Sequence, residues 1–192
     1  MANIHWNQQF FVDSATLQPA SSGIPLPTYG NFGGAGYSQG VFSANPDPAQ
    51  FDPVPVDALD QQFEIHDQES AAADTVAEQA AADVTLIRGI EAANQVHQPD
   101  PEAALYGGGA TLAMIEQLAA ANSLELLAPG EFAEVSGNAL ESIGRGIAGL
   151  SAEEAGQAAD WLGDVADAVG VDIPLTAQDV SAVQGRVFDL IF

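Results

Sequence analysis

Asp57-Ala58-Leu59-Asp60-Gln61-Gln62-Phe63-Glu64-Ile65-His66-Asp67 is the stretch on which the fold turns. From Val56 the composition changes to Ala, Glu, Gln and Leu at helical spacing, and Asp57 or Asp60 in the first turn suits the positive end of a helix dipole. A helix through His66 is expected. No Gly or Pro interrupts residues 57–88, yet Asp74 precedes Thr75-Val76-Ala77-Glu78 and is placed to cap a second helix after a tight turn near Ala72 and Ala73. In such an antiparallel hairpin His66 lies eight residues before Asp74 and Asp83 nine after it. At about 1.5 Å rise per residue the two reach similar height and can share a hydrogen bond. One unbroken helix would instead hold them about 25 Å apart.

Upstream lies the glycine loop Tyr29-Gly30-Asn31-Phe32-Gly33-Gly34-Ala35-Gly36. Pro25 and Pro27 precede it and Pro46, Pro48, Pro53 and Pro55 follow, so residues 1–55 read as ordered loop or extended arm. A glycine loop can turn backbone carbonyls inward, and a hard cation needs several such oxygens together with a carboxylate for charge. Asp67 is the natural carboxylate. A glycine loop followed by a His-Asp dipeptide on a helix therefore suggests calcium-assisted ester hydrolysis.

Loop and helix together resemble the secreted phospholipase A2 superfamily, in which a Tyr-Gly…Gly-x-Gly calcium loop precedes Pro-x-Asp-x-x-Asp-x-x-x-x-x-His-Asp. Pro55, Asp57, Asp60, His66 and Asp67 fall at the family's positions, and the resemblance covers roughly residues 25–95. It implies a Ca2+ ion held by the carbonyls of Phe32, Gly34 and Gly36 and the carboxylate of Asp67. It implies His66 as general base toward water and Asp83, in Ala82-Asp83-Val84-Thr85-Leu86, as the aspartate that orients the imidazole. The Gly34 amide would help hold the oxyanion. With one protein carboxylate in the shell, the expected calcium affinity is weak, toward about 10⁻⁴ to 10⁻³ M. The family's usual cysteines are replaced by Asn31, Gly33, Gln62, Phe63 and Glu69, as in bacterial and viral relatives with few disulfides, so packing has to hold loop against helix. Ser70 stands where commoner members carry a tyrosine that supports the second aspartate.

The remaining sequence narrows the classes of partner. The chain has 192 residues, 27 acidic side chains against three arginines and no lysine, a formal net charge of -24, and no cysteine. Such a chain lacks the basic clusters that hold phosphate, so nucleic acid is excluded as a partner. No disulfide or thiolate-zinc site is available. Met1 to Phe11 carry no basic stretch before a long apolar run, so no cleaved signal peptide is expected, and no apolar run reaches the roughly 18 residues of a membrane span. The expected partner is a phospholipid membrane or micelle surface, reached by a secreted protein. The ending Phe188-Asp189-Leu190-Ile191-Phe192 resembles the acidic-then-apolar termini of proteins exported by type I secretion, although a buried helix end is the favoured reading.

Gln98-Pro99-Asp100-Pro101 reads as a boundary, giving a phospholipase A2-like domain over 1–98 and a helical region over 99–192. Tyr106-Gly107-Gly108-Gly109 reads as a flexible turn. Beyond it Leu112, Ile115 and Leu118 share one helical face; Ser151 with Glu154 forms a capping box before Trp161, Leu162, Val165 and Val169; and Thr176 with Asp179 opens a last helix. These C-terminal helices would suit an inhibitory or secretion partner. Arg88 is expected to pair with Glu91 or Glu69, and His5 and His97 to lie on the surface. The expected class is mainly α, a helix hairpin with an N-terminal calcium loop and a C-terminal helical region. A second function class, a calcium-dependent lipid- or protein-binding module without chemistry, stands beside the hydrolase reading.

Overall fold

Ile4, Trp6 and Val12 are buried along a segment whose other side chains are half-buried or exposed, the mark of an extended chain with one face on a core. In the computed structural model, which describes residues 3–13, 19–38, 40–42, 54–96 and 99–168, this segment is strand β1 (Ile4–Val12). It lies at the centre of a three-stranded antiparallel sheet, between β2 (Pro19–Ala20) and β3 (Ile24–Tyr29). The register runs from Ile4 opposite Tyr29 to Val12 opposite Ile24, with an irregularity between His5 and Gln9. The expected arm is thus a sheet. Pro25 and Pro27 belong to it because β3 is an edge strand, where a missing N–H costs least. A short antiparallel pair, β4 (Tyr37–Ser38) and β5 (Val41–Phe42), follows the glycine loop.

Five helices make up most of the described chain, which is mainly α: α1 (Ala58–Ala72), α2 (Val76–Val96), α3 (Pro101–Ala120), α4 (Glu131–Gly149) and α5 (Ala152–Ala168). Asp57 caps α1, accepting from the Asp60 amide at 2.8 Å. The α1–α2 turn falls at Ala73-Asp74-Thr75, where the sequence signals it, but the cap differs from expectation. Thr75 rather than Asp74 caps α2: its Oγ1 accepts from the Glu78 amide, and the Glu78 carboxylate accepts from the Asp74 amide. The arrangement is close to a capping box, with the Glu78 carboxylate reaching back to the residue before the cap and to the Thr75 hydroxyl. Asp100 caps α3, Pro101 opens it, and Ser151 and Glu154 exchange the expected capping-box bonds ahead of α5.

Tyr106-Gly107-Gly108-Gly109 is not a turn; it is the interior of α3. Local glycine propensity is overridden here by a close helix crossing. A methyl group at Gly108 would lie 2.6 Å from the Ala139 carbonyl oxygen, and one at Gly146 would lie 2.6 Å from the Leu105 amide nitrogen. Only glycines on both partners allow α3 and α4 this approach. Arg88 likewise departs from expectation. It forks onto Glu131 at 2.7 and 2.8 Å, tying α2 to the start of α4, and holds that carboxyl down at about 2.

The boundary at residue 98 does not separate two cores. Ile4, Trp6, Tyr29, Phe32, Phe63 and Ile90 share one buried cluster with Ala103 of α3 and Ala158 of α5. Trp161 stacks at a tilt on Trp6 and donates from Nε1 to the Pro25 carbonyl at 2.6 Å. A second cluster joins Val84 and Ile87 of α2 to Ile115 and Leu118 of α3 and Val135 of α4. Among the described residues no helix is long and apolar enough to cross a membrane. His97, Val169, the expected helix opened by Thr176 and Asp179, and the terminus Phe188–Phe192 lie outside the described residues.

Candidate active site

Two helical turns set the first pair of residues. With α1 and α2 folded back on one another, His66 Nε2 lies 3.0 Å from Asp83 Oδ1. Asp83 is buried, and the imidazole is largely so, with 16 % of its side chain exposed. A carboxylate only accepts, so Nε2 carries the proton and donates, which leaves Nδ1 as the basic ring nitrogen. No hydrogen bond to Nδ1 is made among the described residues.

Gln79 completes this pair and was not foreseen from the sequence. One turn before Asp83 on α2, its Nε2 lies 3.0 Å from both Asp83 Oδ1 and Ser70 Oγ, and Ser70 Oγ lies 3.4 Å from His66 Nε2. The support that a tyrosine would give at position 70 comes instead from an amide. The only signal in the sequence was the four-residue spacing of Gln79 and Asp83, which places them on one helix face.

The glycine loop is anchored by Asp60. This carboxylate, with no exposed surface, accepts from the amides of Asn31 (3.0 Å), Phe32 (2.9 Å) and Val56 (3.0 Å). Burial pushes its pKa up, and the three amides pull it back down. Gly30 makes the approach possible: its φ is +54°, and a methyl group there would lie 2.5 Å from the carboxyl carbon of Asp60. Tyr29 donates to Asp57 Oδ2 at 2.5 Å, and its ring stacks on Tyr106, whose hydroxyl lies 3.0 Å from the Gly33 carbonyl and 3.1 Å from that of Pro27. On the other side Tyr37 Oη lies 3.0 Å from Gln8 Oε1 and 3.3 Å from both His5 Nδ1 and the Gly30 carbonyl. His5 is therefore a partly buried neighbour of the loop, not the surface residue expected.

Of the expected cation ligands, Phe32 is buried in the shared core, and Gly34 and Gly36 hold the positive φ angles +146° and +67° in the loop. The Gly34 carbonyl already accepts from the Tyr37 amide at 3.0 Å, using one of its two lone pairs. Gly34 packs so closely on Thr28 and Phe10 that a methyl group would lie 2.9 Å from the nearest atom. Much of the glycine content thus follows from packing alone. Asp67 is different. Its Oδ2 is buried with no hydrogen-bond partner, and burial pushes the carboxyl up to about 7, offset in part by Ser38 and His66. A buried carboxylate oxygen without a partner is costly unless a proton or a cation completes it, so Asp67 Oδ2 fits a cation ligand. Among the described residues no three His, Asp or Glu side chains gather into a metal-binding cluster, so a cation beside Asp67 would take most of its oxygens from the backbone.

Comparison with known proteins adds no relative: no family model matches the chain, and neither the curated proteins nor the solved structures contain a match.

Proposed function

We propose that the chain is a phospholipase A2-like enzyme that hydrolyses an acyl ester of a glycerophospholipid in the presence of calcium. The observation that carries this reading is the 3.0 Å contact of His66 with Asp83, next along the chain to Asp67, whose Oδ2 is buried without a hydrogen-bond partner. The reading also accounts for the order of loop, His-Asp dipeptide and second aspartate along the chain.

In this mechanism Nε2–H of His66 donates to Asp83, and Nδ1 takes a proton from water as that water attacks the ester carbonyl. The imidazolium then returns the proton to the leaving alkoxide, so no covalent bond to the protein is formed. Asp83 fixes the tautomer and stabilises the imidazolium, and Gln79 fixes Asp83. The Gly34 amide donates toward the developing oxyanion. Calcium, held by Asp67 and the carbonyls of Phe32, Gly34 and Gly36, would supply Lewis-acid polarisation of the ester carbonyl.

The test is fatty-acid release from mixed phospholipid vesicles, with millimolar calcium or with chelator, by the wild type, His66→Ala and Asp67→Asn. Release that requires calcium and is lost in both variants is the expected result. Release unchanged in His66→Ala would overturn the mechanism. Calcium-dependent vesicle binding with no release would make the chain a binding module.

A further inference from the structure

Strand β1 leaves its ladder for three residues. The pairing of His5 with Thr28 is followed directly by that of Gln9 with Pro27, so Trp6, Asn7 and Gln8 stand outside the register with β3. The Gln9 amide clamps this bulge by donating to the Trp6 carbonyl at 2.9 Å. All three bulged residues line a cleft of about 490 Å³, within the roughly 300–1,000 Å³ of small-molecule sites. Its other walls include Asn31 of the glycine loop, Tyr37 of β4 and Gln157 of α5. His66, Asp67, Asp83 and Gly34 do not line it, so it is separate from the site proposed for ester hydrolysis.

The chemistry of the lining is neutral hydrogen bonding. Four of its side chains are carboxamides, those of Asn7, Gln8, Asn31 and Gln157, and none is a carboxylate or a guanidinium, in a chain with 27 acidic residues. A hard cation would need carboxylates, and an anion would meet the field of a net charge of -24 without a basic partner. A carboxamide both donates and accepts, as a sugar hydroxyl does, so two adjacent hydroxyls match one carboxamide. The side-chain amides of Asn7 and Gln157 make no hydrogen bond among the described residues. Gln8 Oε1 is taken by the Tyr37 hydroxyl at 3.0 Å, which leaves the Gln8 N–H groups to donate. Trp6 adds an indole N–H that is buried and has no partner. A buried donor left unmet is costly, and a ligand hydroxyl is an acceptor that would meet it. A peptide also carries donors and acceptors, but it adds to a sheet along a continuous strand edge, and the bulge interrupts that edge.

We infer that this cleft binds a neutral sugar, its hydroxyls held by the carboxamides of Asn7, Asn31 and Gln157 and by the Trp6 indole. The sugar is free or is the headgroup of a neutral glycolipid, since the hydroxyl chemistry is the same in both. The inference stands apart from the proposed hydrolysis and requires neither calcium nor His66.

Nitrogen-15-labelled full chain titrated with glucose, galactose or mannose, and followed at the two Trp indole resonances, tests this; Trp161→Phe assigns them. At least one sugar is expected to shift the Trp6 indole saturably, with a Kd on the order of 1 mM for a ligand of about twelve non-hydrogen atoms. Asn7→Ala removes an exposed side chain and should raise that Kd about fivefold or more, as should Gln157→Ala; Gln68→Ala, exposed on α1 and outside the cleft, should leave it unchanged. Binding should persist in chelator and in His66→Ala, so its failure and that of the hydrolase reading are distinguishable. Phosphatidylcholine vesicles with and without a galactosyl diacylglycerol separate the two sources: capture by the galactolipid that free galactose reverses identifies the headgroup, and saturation by free sugar without capture identifies a soluble ligand. No indole shift with any sugar or with the galactolipid would overturn the inference, as would equal affinity in wild type, Asn7→Ala and Gln157→Ala. A shift produced by end-blocked tetraglycine and by none of the sugars would assign the cleft to peptide and overturn it as well.

Discussion

Replacing Asp67 by Asn isolates the free energy of an ionised carboxylate buried beside the loop. Burial raises this group from 3.8 to about 7. At about 1.36 kcal/mol per unit the native state is therefore weakened by about 4 kcal/mol once the group is ionised, relative to the protonated form. The raised value fixes the sign. The contribution is fully present below the unfolded value near 3.8 and is lost as pH rises through about 7. Solubility is poorest near the pI of 4.1, so measurements belong above it. Between about pH 5 and 8 the stability of Asp67→Asn relative to wild type should climb by about 3 kcal/mol in chelator. Comparing two chains that differ by one charge cancels the general self-repulsion of so acidic a protein. Adding about 10 mM calcium at the upper pH should then stabilise the wild type by about 1.5–2.7 kcal/mol at the expected affinity, and leave Asp67→Asn unmoved. Urea denaturation followed by Trp fluorescence reads both effects. A stability difference flat with pH would mean that the Asp67 carboxylate is hydrated in the native state, and the argument for a cation there would fail.

Other perturbations address separate parts of the structure. Gly108→Ala places a methyl group against the Ala139 carbonyl and should destabilise by about 2 kcal/mol, whereas Gly109→Ala meets nothing and should stabilise by up to about 1 kcal/mol; thermal melts of both that move in one direction would refute the helix crossing. Gln79→Ala removes the amide that holds Asp83 and should lower kcat about tenfold with KM unchanged, about 1.4 kcal/mol at the transition state; unchanged kcat would remove Gln79 from the positioning network. Asp60→Ala leaves the amides of Asn31, Phe32 and Val56 without their acceptor and should cost about 3 kcal/mol or more in urea denaturation, so a loss below about 1 kcal/mol would mean that water replaces the carboxylate.

The parts of this structure legible in the sequence are those written in short spacings. The α1–α2 turn follows from the Ala-Ala-Asp-Thr segment, and the height match of His66 and Asp83 follows from helical rise; hence their contact could be anticipated from residue numbers. The capping box of Ser151 and Glu154 is local in the same way. What could not be read is long-range. The sheet depends on Pro25 and Pro27 lying at an edge, which only the pairing with β1 reveals. The glycines at 107–109 read as a turn until Gly146 and Ala139 appear on the facing helix. Arg88 finds its partner 43 residues away at Glu131. Ser38 looks like any turn serine until its burial is seen.

The absence of cysteine also gains a physical account from the same contacts. A glycine loop has little surface of its own to bury, so something must hold it in place of covalent bridges. Here one buried carboxylate does this with charge-assisted bonds to two consecutive loop amides, each worth more than a neutral bond. Aromatic rings close the opposite side: Tyr29, Phe63 and Tyr106 pack in mutual contact, with the Tyr106 hydroxyl reaching the Gly33 carbonyl. Tyr106 belongs to α3, and α3 is held in place by its glycine-mediated crossing with α4. The helices beyond residue 98 therefore support the loop and are not merely attached to it. The loop's shape is therefore held by contacts from α1, α3 and the sheet rather than by its own backbone alone.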